Sequence, residues 1–223
     1  MMRRTVLRSI LPVAALAAGI GPVAAATGAQ TADFFRAVQM DDPRTVQSLL
    51  GTVDPNAVNP VGGEPALVLA VREGSMRVLD VLLRHPGTNV DAQAMNGNTA
   101  LMMAAFKQNK PAAEALIAKG AAVNRPGWTP LHYAAASGDV DIAQLLLARG
   151  ARIDAVSPPA SGKYTPLMMA AREGHEDCAK FLLGQGADPQ LKNGEGLTAA
   201  QIAQKADHAG IAAAIDQRVK RGH

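Results

Sequence analysis

The repetition of one short unit along this chain constrains its fold more than any other feature. The unit is anchored at Pro65, Thr99, Thr129, Thr165 and Thr198, at spacings of 34, 30, 36 and 33 residues. A period of that length marks a stack, because each unit is a single supersecondary element that cannot bury its apolar face alone. The copy after Gly127 is the clearest. Thr129 supplies a hydroxyl N-cap, Pro130 the first helical position and Gly138 a stop, which predicts one short helix. Asp139 then caps a second helix in which Ile142, Leu145 and Leu146 recur at i, i+3 and i+4, and Arg149-Gly150 closes it.

The same order recurs from Thr165-Pro166-Leu167 to Gly174, then Cys178, Phe181, Leu182 and Gly186, and again from Thr99-Ala100-Leu101 through Leu116, Ile117 and Gly120. Pro65-Ala66-Leu67 to Gly74 with Val78, Val81 and Leu82 is a further copy, and Thr198 with Ile202 and Ile211 opens a polar last one. Ala and Leu dominate the apolar residues and aromatics make up 3% of the chain, as suits helices packed closely over small side chains.

These residues resemble the ankyrin-repeat family, whose unit of about 33 residues carries Thr-Pro-Leu-His-x-Ala. Thr129 to Ala134 matches that motif in full. Glycine stands two residues before the anchor at Gly63, Gly97, Gly127 and Gly196, and Asn56, Asp91, Asn124, Asp154 and Asp188 fall where the family's repeats end in Asp or Asn. The resemblance implies an all-α, ankyrin-repeat solenoid of stacked helix-turn-helix units with hairpin or loop fingers and capping end repeats. The expected organisation is a signal peptide over 1–26 and a repeat domain over 27–223. Within that domain an N-terminal cap spans about 31–55, repeats start near 56, 91, 124 and 154, and a C-terminal cap spans about 188–220. Asp33 to Leu50 reads as a capping half-repeat with Phe34, Ala37, Val46, Leu49 and Leu50 buried, because an end unit must close the core against water.

Finger lengths are unequal. Asn124 to Thr129 is five residues, Asp91 to Thr99 eight, and Asp154 to Thr165 eleven, with Ser157-Pro158-Pro159-Ala160-Ser161-Gly162 inserted. A stunted finger therefore stands beside an elongated, proline-stiffened one, which gives the binding surface a step.

In the family the first helix's outer face and the fingers form a concave contact surface. Carried onto this sequence, its free positions are Glu64, Asn98, Trp128 and Leu197, with Tyr164 as the nearest equivalent, and Arg72, Glu73, Phe106, Lys107, Ala136, Ser137, Arg172, Glu173 and Lys205. Phe106, Trp128 and Tyr164 are three of seven aromatics in the chain, and all fall on that surface. Clustered exposed aromatics are what an interface core contains; the alternative is that they fold down as local packing. Arg72, Arg172, Lys107, Glu73 and Glu173, with Asn98, complete the expected partner-binding set as a mixed-charge rim. Tyr133 is left off, since a helical wheel turns it away from Leu131, Ala134 and Ala135.

Chemical readings are weaker. His132 lies inside the motif, where the family's imidazole bonds backbone between repeats, and His175 occupies the capping slot that Asp139 holds one repeat earlier. His85 and His208 lack spaced metal partners. Cys178 matches Ile142 on a buried helix face, which predicts an inert thiol. Met102-Met103 and Met168-Met169 stand where the full motif has His132-Tyr133; a thioether metal site is one reading and gap-filling core the other. With no Gly-x-Ser-x-Gly, no phosphate loop and no paired carboxylates in isolation, the sequence points to no catalytic residue, no metal and no cofactor.

The N-terminus reads separately. Arg3, Arg4 and Arg8 form a basic head, Ile10 to Ala18 is apolar, and Ala24-Ala25-Ala26 offers the small residues a signal peptidase needs, with the cut after Ala26. Pro12, Gly19, Gly21 and Pro22 interrupt a run shorter than the roughly 20 residues of a bilayer span, so no membrane attachment is expected after cleavage. The paired arginines also resemble a twin-arginine signal, which leaves the export route open. The cut removes those three arginines and no acid, so 22 Lys+Arg become 19 against 19 Asp+Glu. A neutral chain lacks the basic face that nucleic acid requires. Cys178 is the one cysteine, so the fold holds by packing without an internal disulfide.

The reading is of an exported monomer that binds another protein, as a periplasmic adaptor, stabiliser or inhibitor; the alanine-rich signal suits a bacterial periplasm. A secreted factor acting outside the cell is the alternative, and an enzyme or metal-binding protein on a repeat scaffold a more distant one.

Overall fold

The computed structural model describes residues 26–221, so the signal reading lies outside the described residues except for Ala26. Twelve α-helices fall there in six pairs: α1 (Gly28–Gln39) with α2 (Pro43–Leu49), α3 (Ala66–Glu73) with α4 (Met76–Arg84), and α5 (Ala100–Phe106) with α6 (Lys110–Ala118). Then follow α7 (Pro130–Ser137) with α8 (Val140–Ala148), α9 (Pro166–Glu173) with α10 (Glu176–Gly184), and α11 (Ala199–Lys205) with α12 (Ala209–Lys220). Among the described residues no strand forms; the fingers are turns, with one isolated antiparallel bridge between Val58 and Pro65.

The odd-numbered helices pack in one row, each on the next, and the even-numbered helices in a second row behind them. Alanine makes the first row possible. Ala104-Ala105, Ala134-Ala135 and Ala170-Ala171 are fully buried at equivalent positions, and their small side chains let successive helices approach closely. Leu67, Leu101, Leu131 and Leu167 fill the space between the rows together with Leu82, Leu116, Leu146 and Leu182. One apolar core therefore runs from Phe34 to Ile215.

Anchor threonines cap the helices of the first row that they open: Thr99 Oγ1 accepts from Met102 N–H and Thr165 Oγ1 from Met168 N–H, whereas α3, which follows Pro65, has no side-chain cap. Their C-termini end in left-handed residues, glycine at Gly74, Gly138 and Gly174. At two of these a side chain from the following repeat occupies the space beside the glycine: His175 lies against Gly138 and His208 against Gly174, where a Cβ would meet the ring at 2.5 and 2.7 Å. His175 stands at the N-cap of α10 as expected but makes no side-chain cap there; its Nε2 reaches back to the Ala136 carbonyl at 3.0 Å. Ser75 likewise leaves α4 uncapped, and Asp41 of the preceding pair accepts from Val78 N–H at 2.9 Å instead. Capping across repeats couples neighbours that a single helix pair cannot stabilise.

A second set of bonds joins the repeat ends. Asn56 donates to Gly87 O and accepts from Asn89 N–H; Asn124 donates to Gly150 O and accepts from Arg152 N–H. Asp91 and Asp154, which can only accept, take a single N–H each, from Ala122 and Asp188. This is the physical reason for Asp or Asn at that position: its short side chain satisfies backbone of the next repeat.

Candidate binding surface

The fingers are tied to one another where their lengths permit. Met95 N–H donates to Gly63 O at 3.2 Å and Gly194 N–H to Gly162 O at 2.8 Å, so the first two and last two fingers share backbone bonds. The stunted finger at Arg125-Pro126-Gly127 is bonded to its neighbours through side chains. Arg125 Nη1 donates to Gly97 O at 2.8 Å on one side, and Trp128 Nε1 donates to Ser161 Oγ at 3.3 Å on the other. The extra residues of the long finger form a 3-10 turn over Pro159–Ser161. Pro158 of that finger lies close enough to Gly127 that a Cβ there would meet its ring at 3.0 Å. The difference in finger length is thus partly filled from the long side.

His132 links the α7 repeat to the same finger. Its Nδ1 accepts from the Thr129 backbone N–H at 3.2 Å and faces Thr129 Oγ1 at 2.9 Å. That places the ring proton on Nε2, which donates to the Tyr164 carbonyl at 2.9 Å. Burial disfavours the charged ring and lowers its pKa to about 4, so the imidazole is neutral. In the next repeat Met168 takes the same slot, its Sδ accepting from Thr165 N–H at 3.4 Å, and no bond continues beyond it. Met102, Met168 and Met169 are buried, which fits the core reading of the methionine pairs.

Between these elements lies a cleft of about 220 Å³. Phe106 at the end of α5, Trp128 before α7, Tyr133 and Ala136 on α7, and Met169, Arg172 and Glu173 on α9 line it, with His132 at its base. The rings interlock edge to face: Phe106 with Tyr133 at 6.3 Å and 88°, Tyr133 with Trp128 at 6.3 Å and 64°, Trp128 with His132 at 5.2 Å and 78°. Phe106 keeps 53% of its surface in solvent. Tyr133 Oη donates to Asn98 Oδ1 at 2.6 Å, so the preceding finger holds the ring upright, and burial raises the phenol's pKa.

The expected set of contact residues divides three ways. Phe106, Trp128, Arg172 and Glu173 come together around the cleft, and Asn98 supports it through Tyr133. Tyr164 does not line it: its ring lies over Gly162 of its own finger, with the Arg172 guanidinium 5.1 Å from the ring centre. Arg72 and Glu73 lie at the far end, where Arg72 pairs with both Glu64 and Glu73, and Lys107 is exposed beside Phe106 without reaching the cleft. The residue missed was Tyr133. The signal for it was present in Met103 and Met169, apolar at the same position in the flanking repeats.

The two ends of this face neutralise their own charges, Glu64 with Arg72 and Glu195 with Lys205. The centre is aromatic. Among the described residues no group of three His, Cys, Asp or Glu side chains could hold a metal ion, and no helix is long and apolar enough to cross a membrane. Cys178 is buried, and burial pushes its thiol up to about 12.

Fold and surface together define a class: a helix-pair solenoid that presents a patterned face to other molecules. The chain belongs to the ankyrin-repeat family, whose model "Ankyrin repeats (3 copies)" matches residues 34–126, 78–157, 123–193 and 157–215. It is 36% identical over 87 residues to human transient receptor potential cation channel subfamily A member 1, covering 38% of this chain and 8% of the channel. It is 37% identical over 109 residues to mouse neurogenic locus notch homolog protein 1, covering 48% of this chain and 4% of that protein. It is also 36% identical over 117 residues to glycerophosphocholine phosphodiesterase GDE1 of Eremothecium gossypii, covering 50% of this chain and 9% of the enzyme. The chain thus spans only a small part of the length of these relatives. Ankyrin repeats are protein–protein interaction modules, and the scaffold itself is non-enzymatic.

Proposed function

We propose that this chain is an exported, non-catalytic module that holds a partner protein on the face built by the first-row helices and the fingers, centred on the Phe106–Trp128–Tyr133 cleft. The observation that carries the reading is the half-exposed Phe106 standing against Tyr133, which in turn meets Trp128, in a chain with seven aromatics. An aromatic centre inside a polar rim is the anatomy of an interface in which a few residues supply most of the energy. Arg172 and Glu173 form the near rim, Asn98 and Lys107 the side toward α5, and Arg72 and Glu73 the outer margin.

The basic head and apolar run ahead of Ala24-Ala25-Ala26 support export through a cleaved signal and, with it, a periplasmic place for this function. Thr27 caps α1 by a reciprocal pair of bonds with Gln30, so a cut after Ala26 leaves that cap intact. In the periplasm the module acts as an adaptor, stabiliser or inhibitor of another exported protein; recovery from the medium instead would favour a secreted role.

The test is capture from an envelope extract with the chain from Thr27 as bait, compared with Phe106→Ala and the Phe106→Ala/Trp128→Ala double variant. Circular dichroism first establishes that both variants fold. The single change removes a side chain that packs little, so loss of the captured protein there reports on docking. Equal capture by all three baits would move the site off this cleft.

A further inference from the structure

We propose that the side chain this cleft takes from its partner is basic, a lysine or arginine whose stem lies on Met169 and Ala136 and whose cation meets the aromatic rings and Glu173. This rests on the reading that a partner docks at this face and specifies what the cleft recognises. The polar atoms of its rings are already used: Tyr133 Oη donates to Asn98, Trp128 Nε1 to Ser161, and His132 bonds through both nitrogens. What remains for an occupant is π surface, an apolar floor, and the pair Arg172 and Glu173.

That pair is asymmetric. Arg172 places Nε and Nη2 on one carboxylate oxygen, Glu173 Oε1, at 2.8 and 2.7 Å, while its guanidinium sits over the Tyr164 ring. Glu173 Oε2 makes no hydrogen bond among the described residues. Glu173 lines the cleft and keeps this oxygen as a free acceptor. An anionic occupant would find one free donor group, Arg172 Nη1, on a guanidinium already neutralised by Glu173 and stacked on Tyr164, and would meet the negative π faces of the rings. A purely apolar one would desolvate Glu173 without compensation. A cation with a long aliphatic stem satisfies every surface, since aromatic quadrupoles attract positive charge and an ammonium or guanidinium reaches the free oxygen. Lys107 stands beside Phe106 but does not line the cleft.

Trp128 is the chain's one tryptophan, so its fluorescence reports on the cleft directly. The folded chain is titrated at constant ionic strength with N-acetylarginine amide, N-acetyllysine amide and the neutral N-acetylnorleucine amide. The expected result is a saturable change with both basic probes and at least about tenfold weaker binding of norleucine amide. Glu173→Gln should weaken the basic probes by about tenfold and leave norleucine amide unaffected. Glu195→Gln, at the far end of the face, should change nothing.

Norleucine amide binding as tightly as the basic probes, no saturable response to either basic probe, or indifference to Glu173→Gln would each overturn the proposal. The two readings fail separately. Partner capture lost in Phe106→Ala while the basic probes give no response would leave docking in place and refute the basic side chain. Probe binding as expected with capture unaffected would refute docking at this cleft, and with it the partner side chain, while leaving the cation selectivity of the pocket in place.

Discussion

Replacing His132 with methionine should produce a variant that is less stable than the parent at neutral pH and more stable in acid. The substitution copies the neighbouring repeat, where Met168 occupies this slot and still accepts from the Thr165 N–H, so the helix cap survives. What disappears is the Nε2 bond to the Tyr164 carbonyl. That oxygen retains the Ser157 N–H at 2.9 Å, so no orphaned acceptor is left. The loss is then one net hydrogen bond with a small packing change, about 1–2 kcal/mol. The acid side follows from the depressed pKa. The unfolded imidazole titrates near 6.5 and the buried one at about 4, so between those values the unfolded chain binds more protons and stability falls with pH. For one such group the loss is about 2 kcal/mol by pH 5 and about 3 by pH 4, and methionine abolishes it. The stability curves of the two proteins should therefore cross near pH 5. Urea denaturation followed by circular dichroism between about pH 4 and pH 7.5 tests this, with equal m-values as the check that both unfold alike. Parallel curves, with the parent ahead by a constant margin, would refute a buried neutral His132. Alanine at the same position would also orphan the buried Thr129 N–H and open a cavity, at about 3–5 kcal/mol.

The repeat-end bonds and the buried thiol give two further tests. Asn124→Ala removes both the donation to Gly150 O and the acceptance from Arg152 N–H and should destabilise by about 1–3 kcal/mol. Asn124→Asp keeps the second bond and should cost about half as much in the same urea measurement, whereas equal losses would mean that the bond accepted from Arg152 carries nothing. Cys178 should resist an aromatic disulfide reagent at pH 8 for as long as the chain stays folded, since burial lifts its thiol to about 12, and react fully in denaturant. Rapid native modification would place the thiol at the surface.

Helix order was legible in the sequence because each boundary is enforced locally. Thr129 followed by Pro130 can only start a helix cleanly, and Gly138 at φ 77° ends one where most side chains would be strained. The partners of His175 and Asp41 were not legible. An uncapped helical N-terminus looks defective in one dimension, yet α4 receives its cap from Asp41 of the preceding repeat on the Val78 N–H, and His175 at the start of α10 serves the Ala136 carbonyl at the end of α7. The aromatic centre was half legible for the same reason. A wheel drawn for α7 alone turns Tyr133 away from Leu131 and Ala135, but in the stack that flank is faced by Phe106 and Asn98 of the preceding repeat. Tyr164 errs in the opposite direction: its place in the repeat marks it as free, yet the inserted Gly162 gives its ring a surface of its own finger to lie on.

The stunted finger shows what a repeat conserves physically within one chain. Every pair of adjacent fingers must answer the polar backbone that their turns expose, and where lengths differ by one residue, one backbone N–H does so, as Met95 does for Gly63 and Gly194 for Gly162. Shortening the middle finger withdraws its backbone, and Arg125 restores a donor to Gly97 by extending a side chain across the gap. The bond is preserved while the residue type that makes it changes. The aromatic cleft lies beside the same short finger, whose Trp128 meets Tyr133 and, through it, Phe106. Lengthening the middle finger to the eight residues of its neighbour should then let a backbone N–H take the place of Arg125 on Gly97 O, so that Arg125→Ala, destabilising in the parent chain, becomes nearly neutral in urea denaturation of the lengthened one.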